Sequence, residues 1–322
     1  MIEKYSKLLE KEIEKQKYGR QPVSLYEPIR YLMALGGKRL RPMLTLLAYS
    51  LYKENVKAIM PYAVAVEAFH NFTLMHDDIM DKAPLRRGHR TVHEKWNVNT
   101  AILSGDVMLV KVYDMFLSID KNILVKVIHR FNKCASEVCE GQQWDMEFET
   151  QQTVTEEQYL NMIQLKTAVL VGFSLELGAL LAGASEKDCK SLREFGINIG
   201  IGFQLKDDLL DAYGDSKKFG KQVGGDIIAN KKTFLLIKSL ELAKATQRQE
   251  LQDWIFKKKF NKSEKVNAIK SIYDALAIPS LTEKKVNSYF KKGFSRLRDL
   301  NCSPKGKTEL VKFTELLIER ES

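Results

Sequence analysis

Six aspartates carry the strongest chemical signal in this 322-residue chain. They form two clusters of one pattern, Asp77-Asp78-Ile79-Met80-Asp81 and Asp207-Asp208-Leu209-Leu210-Asp211. On a helix the first and fifth positions lie about 40° apart and one turn apart along the axis, with the second beside them. Each cluster closes a long apolar stretch, residues 62–80 and 195–210, so three carboxylates are expected together at the C-terminal end of a buried helix. That end already presents unsatisfied carbonyls and the negative pole of the dipole, and like charges repel. A cation must compensate. Oxygen donors without a Cys/His set favour a hard divalent ion, Mg²⁺ above all. One such cluster is also what a solvated helix end looks like; two copies, each ending an apolar helix, favour the metal.

Basic groups stand at matching places. Gly36-Gly37-Lys38-Arg39-Leu40-Arg41-Pro42 sets three cations after a glycine turn, and Arg86-Arg87-Gly88 follows the first acidic cluster. Lys221 follows Gly220, and Lys231-Lys232-Thr233 follows Asp226. Acidic clusters and basic clusters with a metal between them describe a polyphosphate site, since Mg²⁺ binds through a few carboxylates plus substrate phosphates. A P-loop is excluded, because no G-x-x-x-x-G-K-[ST] occurs.

The elements that must position these groups read as helices. All seven prolines lie at 22, 28, 42, 61, 84, 279 and 304, leaving residues 85–278 uninterrupted. Apolar residues recur there at three- and four-residue spacing, as in Ile123, Leu124, Val127, Ile128 and Phe131. Thr155 with Gln158 forms a capping-box signature, and Ser185 a weaker cap. The spacing predicts about a dozen helices, no strand, and one all-α domain over 1–322, because no Gly/Ser linker or internal repeat appears.

Composition narrows the class. Few prolines and glycines with 44% hydrophobic residues exclude collagen-like and disordered chains. The apolar runs are shorter than the roughly 20 residues of a membrane span, and the charged N-terminal residues show no signal peptide. Cys134, Cys139, Cys189 and Cys302 have neither metal spacing nor a disulfide pattern, which indicates a soluble, cytoplasmic protein. The +10 net charge could serve nucleic acid, an anionic membrane surface or a small polyanion. No nucleic-acid module is present, and the run Lys257–Lys259 with Lys262 and Lys265 reads as a solvated helix end.

Taken in order from Gly36 to Thr233, these motifs resemble the trans-isoprenyl diphosphate synthases, or polyprenyl synthetases. The match comprises GGKRLRP, DDIMD with RRG, Gly141-Gln142 with Asp145, Lys166-Thr167, Phe203-Gln204 before DDLLD, and Gly220-Lys221 through Thr233. The resemblance implies an all-α isoprenoid-synthase bundle around a deep central cavity, a homodimer, and three Mg²⁺ per site. The reaction it implies is head-to-tail condensation of isopentenyl diphosphate with an allylic diphosphate. By the same resemblance Asp77, Asp81 and Asp207 bind metal directly, and Asp78, Asp208 and Asp211 bind it indirectly or through water. Arg86, Lys166, Lys221 and Lys231 match the allylic-diphosphate cations. Gly37, Lys38, Arg41, His70 and Arg87 match the isopentenyl diphosphate site, and Lys166, Thr167 and Gln204 the positions that stabilise the allylic cation. Arg90 and Asn230 depart from the usual Pro and Gly, which bears on loop geometry rather than charge.

Product length is set by what lies one turn below the metal-binding aspartate, about 5.4 Å deeper. Phe72 and Thr73 occupy those positions, and an aromatic at Phe72 resembles a bacterial short-chain farnesyl or geranylgeranyl diphosphate synthase making C15–C20 products. Phe72 reads equally as core. The remaining alternatives are a longer-chain synthase, a class I terpene cyclase, which would lack the second DDxxD, and a non-catalytic subunit, which would have lost aspartates. No nucleic acid or stable membrane insertion is expected. His76, His89, His93 and His129 read as structural or exposed.

Overall fold

The 3.6-residue apolar period of the sequence becomes sixteen α-helical segments in the computed structural model, which describes residues 1–214 and 224–319. The chain is all-α. One strand pair that the spacing did not predict occurs among the described residues, a hairpin of β1 (Leu85–Arg86) and β2 (His89–Arg90). It forms because Arg87 and Gly88 both take positive φ, 52° and 77°, the requirement of a two-residue type I′ turn.

The chain divides into two units. The first comprises Met1–Lys133, Val171–Arg193 and Asp299–Thr314. At its centre runs α4 (Met60–Met80), against which α1 (Ile2–Lys15), α3 (Leu40–Ser50) and α6 (Val98–Phe116) pack. Residues Ala63–Phe69 of α4 are buried on every side, as the absence of a polar face in the sequence requires. Phe69, Phe116 and Phe173 surround Phe131, with ring centroids 5.0, 5.1 and 5.8 Å from it. Arg39 of the basic segment is buried there too: it pairs with Glu67 of α4 at 2.8 Å and donates to the Met33 carbonyl. It fastens the segment to the core and leaves Lys38 exposed beside it.

The second unit comprises Cys134–Leu170, Glu194–Arg298 and Glu315–Ser322. The C-terminal part of α10 (Glu186–Tyr213) runs through it. The stretch at 197–203, where apolar residues alternate, is helical throughout. The Thr155 capping box is complete, and the Asp188 N–H donates to Ser185 Oγ in the first unit. Helices 245–256, 262–275 and 278–295 carry a core of Leu251, Ile269, Ile272, Tyr273 and Ile278 that the sequence motifs did not reach.

Two expectations are corrected here. Lys265 is no solvated helix end: its side chain is fully buried in the helix Lys262–Ala275. And Glu156–Ala182 is one continuous helix, long and apolar enough to cross a membrane, which a search for unbroken apolar runs misses because Lys166 interrupts it. Of its most apolar window 78% is buried in the fold, so its hydrophobicity is that of a core element.

Candidate active site

The first acidic motif occupies the last turn of α4. The Asp81 N–H donates to the Asp77 carbonyl at 2.9 Å, closing the helix, and the type I′ turn that follows folds the chain back upon it. This return carries Arg86 onto Asp78, whose carboxylate accepts from Nε and Nη2 at 2.7–2.9 Å. The Asp78 side chain is only 3% exposed. Burial pushes its carboxyl above the ordinary value, and the Arg86 guanidinium pulls it part of the way back. Arg86 also lies 4.0 Å from Asp77. Asp77 is partly buried and Asp81 is exposed.

The same turn aims Arg87 elsewhere in the first unit. Its Nη1 donates to the Gly36 carbonyl, and its guanidinium lies where a side chain on Gly37 would stand, 2.8 Å from an ideal Cβ. With φ at 137°, position 37 needs glycine on both counts. Arg41, on the first turn of α3, approaches His70 Nε2 at 3.1 Å. Burial first, then the Arg41 and Arg87 charges, hold the imidazole well below its ordinary 6.5, so His70 is neutral at pH 7. Arginine can only donate, so Nε2 is the acceptor and Nδ1 carries the proton. Gly37, Arg41, His70 and Arg87 are thus gathered in one place, with Lys38 exposed on the same loop.

The second motif ends α10 by different means. Asp208 is buried and accepts from the Tyr159 hydroxyl and from Gln204 Nε2, the latter at 3.0 Å. Burial, with Asp226 nearby, pushes its carboxyl up to about 7. Asp211 accepts from the Asp226 N–H at 2.9 Å and its carbonyl from the Gly224 N–H, which fastens the helix end to the turn carrying Lys231. Asp207 is exposed.

Three further residues meet here in the second unit. Thr167 Oγ1 donates to Gln204 Oε1 at 3.3 Å, and Lys166 Nζ to Asp145 at 2.6 Å. Lys231 Nζ lies 3.7 Å from the same carboxylate. Burial alone would raise Asp145, but the two ammonium groups hold it below its ordinary value. Lys166 and Thr167 sit in a π-helical turn, Gln164–Ala168, within the long helix. The backbone of that turn comes within 2.1 Å of an ideal Cβ on Gly141, so only glycine admits the approach.

The expected trios of clustered carboxylates are therefore corrected. Among the described residues no three His, Cys, Asp or Glu side chains stand grouped to hold a metal ion. The reason is angular: the second aspartate lies about 100° round the helix from the first, and in each motif it has found its own partner in the fold. Asp77 with Asp81 at one helix end and Asp207 at the other supply hard oxygens, Asp77 partly buried and Asp81 and Asp207 exposed. That set suits a partly hydrated Mg²⁺ and no soft metal.

Phe72 packs edge-on against His76, centroids 4.9 Å apart, and beside Phe69; Thr73 Oγ1 donates to the His70 carbonyl. His76 Nε2 reaches the Ile102 carbonyl of α6 at 3.1 Å, a structural role. Lys221 and Gly220 lie outside the described residues. Tyr159 was legible in the sequence only as one apolar position of a helix; its seat opposite Asp208 becomes visible in three dimensions.

A family model, polyprenyl synthetase, matches residues 22–275. The chain is 37% identical over 303 residues to the geranylgeranyl diphosphate synthase of Methanosarcina mazei, covering 94% of this chain and 91% of that one. It is 40% identical over 232 residues to the farnesyl diphosphate synthase of Bacillus subtilis, covering 69% and 78%. A crystal structure of a geranylgeranyl pyrophosphate synthase superposes with a TM-score of 0.95 at 43% identity, covering 100% of this chain and 99% of that one. With its motifs in order, its helical architecture and relatives alike along nearly the whole length, the chain belongs to the polyprenyl synthetase family.

Proposed function

We propose that this prenyltransferase is a short-chain all-trans prenyl diphosphate synthase, joining isopentenyl diphosphate head-to-tail to an allylic diphosphate. One observation carries the reading. In each acidic motif the fold ties down the second aspartate and keeps the first at the helix end, Asp77 partly buried with the Arg86 guanidinium 4.0 Å away and Asp207 exposed. Asp77, Asp81 and Asp207 would hold Mg²⁺, three ions per site, and Asp78, Asp208 and Asp211 orient the helix ends that present them. The metal supplies Lewis-acid stabilisation of the departing diphosphate.

The chain's own groups do the rest. Arg86, Lys166 and Lys231, with Lys221, bind the allylic diphosphate, and binding it more strongly as it departs lowers the barrier. Lys38, Arg41 and Arg87 bind the diphosphate of the second substrate over the Gly37 backbone. Neutral His70, with Nε2 already accepting from Arg41, fixes that guanidinium. Gln204 and Thr167 turn oxygen dipoles toward the developing allylic charge; Asp208 holds the Gln204 amide nitrogen, and the amide oxygen accepts from Thr167 Oγ1, which orients both groups.

The experiment is turnover of purified protein with Mg²⁺, labelled isopentenyl diphosphate and each allylic primer, with products separated by chromatography. Asp77→Ala and Asp207→Ala each lower turnover more than ~100-fold, the scale of a lost electrostatic group, while circular dichroism stays helical. Parent-like turnover in either variant defeats the assignment.

The reading extends to C15–C20 products with Phe72 and Thr73 limiting length, which the short-chain activities named for the relatives support. One catalytic domain over 1–322 is supported by a family match that runs through both units. A homodimer is supported by Leu103, Val110 and Leu117, exposed at seven-residue spacing along α6 and its cap. A cytoplasmic setting is supported by four cysteines, all thiols. A bacterial source draws support from the Bacillus subtilis relative, whereas the Methanosarcina mazei relative is archaeal.

A further inference from the structure

The buried amine of Lys265 does no work in the reaction just described, yet its surroundings are built. It comes from the helix Lys262–Ala275, close to the end of the matched family region and beyond the last recognisable motif. Its Nζ donates to Asn230 Oδ1 at 2.6 Å and to the Ile228 carbonyl at 3.3 Å, and lies 4.3 Å from the centroid of the Phe260 ring. An ammonium has three donors and no acceptor, so two oxygens and one aromatic face account for it. Asn230 is held from its other side as well, donating Nδ2 to the Ile255 carbonyl at 3.0 Å. Its backbone takes φ 55°, a left-handed conformation that the Lys231 N–H reinforces by donating back to the Asp226 carbonyl.

We infer that Lys265 and Asn230 form a lock that sets the position of Lys231, making both of them positioning residues for the allylic diphosphate. The inference rests on the proposed role of Lys231. The turn from Asp226 to Lys231 has one strained residue, and that residue's side chain is what the buried amine grips. Lys231 is next in the chain and reaches the Asp145 carboxylate it shares with Lys166. A glycine at 230 would adopt the same φ without strain but would offer the amine nothing. The asparagine thus exchanges backbone freedom for a fixed address, and the buried lysine is its counterpart.

The test compares Asn230→Gly, Lys265→Met, the double variant and Lys231→Ala in the full-length enzyme with Mg²⁺. The lock predicts a KM for the allylic diphosphate raised ~10-fold in either single variant, within the range that small misplacements of a binding group produce. The double variant should be no worse than the poorer single one, because both break one device. The KM for isopentenyl diphosphate stays at the parent value. If Lys231→Ala raises the allylic KM while Asn230→Gly and Lys265→Met alter only the melting temperature, the lock is overturned and Lys231's role stands. If Lys231→Ala leaves that KM unchanged, the role of Lys231 fails and the lock with it. Should Lys265→Met not fold, Asn230→Gly decides alone, since its backbone is accommodated.

Discussion

The two acidic motifs share a five-residue pattern, and the fold treats them differently. In the first, the buried second aspartate meets a guanidinium and forms an ion pair with three contacts below 3 Å. In the second, the equivalent residue meets a phenol and an amide, both neutral. The approach to each motif differs too. Five residues before Asp77 stands Phe72; five before Asp207 stands Gly202, where an ideal Cβ would come 2.4 Å from the Phe290 ring. A repeated motif therefore fixes what is presented at the helix end and leaves open how the end is held and what lies beneath it.

The largest effect that would sharpen this contrast concerns charge. Arg86→Met leaves Asp78 buried without its cation, and removing one partner of a buried pair costs about 3–5 kcal/mol, read as a lowered urea midpoint. Asp78→Asn in the same chain should recover part of that loss. Tyr159→Phe removes a neutral donor and costs less, about 1–2 kcal/mol. If the two substitutions proved equal, the distinction between the motifs would be broken.

Phe72→Ala opens the turn beneath Asp77 and shifts the chromatographic profile toward products about one isoprene unit longer, the ~5.4 Å of one helical turn. An unchanged profile would make Phe72 a core residue. The smallest effect lies in pH. The native His70 pKa lies well below 6.5, so the unfolded chain takes up this proton first. The stability His70 confers is complete above about pH 6.5 and declines as pH falls toward the native value. The melting temperature of the parent should therefore drop more between pH 7 and 5 than that of His70→Gln. Parallel curves would mean that the imidazole is not held neutral.

The helical class was legible because apolar spacing and proline placement act locally. Asp77, Asp207 and the basic segments were legible because like charges at a helix end demand an explanation. What escaped were matters of direction. Asp78 and Asp208 look identical in the sequence, and their partners come from a returning hairpin and from a helix some fifty residues away. Lys265 sat in a run of lysines and looked solvated, since nothing in the sequence reveals that Phe260 and Asn230 close over it. The hairpin at 85–90 went unseen because two-residue strands leave no alternating pattern.

The π turn at Gln164–Ala168 has a consequence for geometry along its helix. In an uninterrupted α-helix the eight steps from Tyr159 to Thr167 would leave their side chains about 80° apart. Closing hydrogen bonds one residue later absorbs an extra position, so eight steps behave as seven and the two fall within about 20°. Tyr159 can then reach Asp208 and Thr167 reach Gln204, one turn apart on a single neighbouring helix. A lone inserted residue, absorbed by the π turn, has brought two otherwise divergent side chains into one file, and winding that turn as plain α-helix with every residue kept would swing each later group about a quarter-turn out of line.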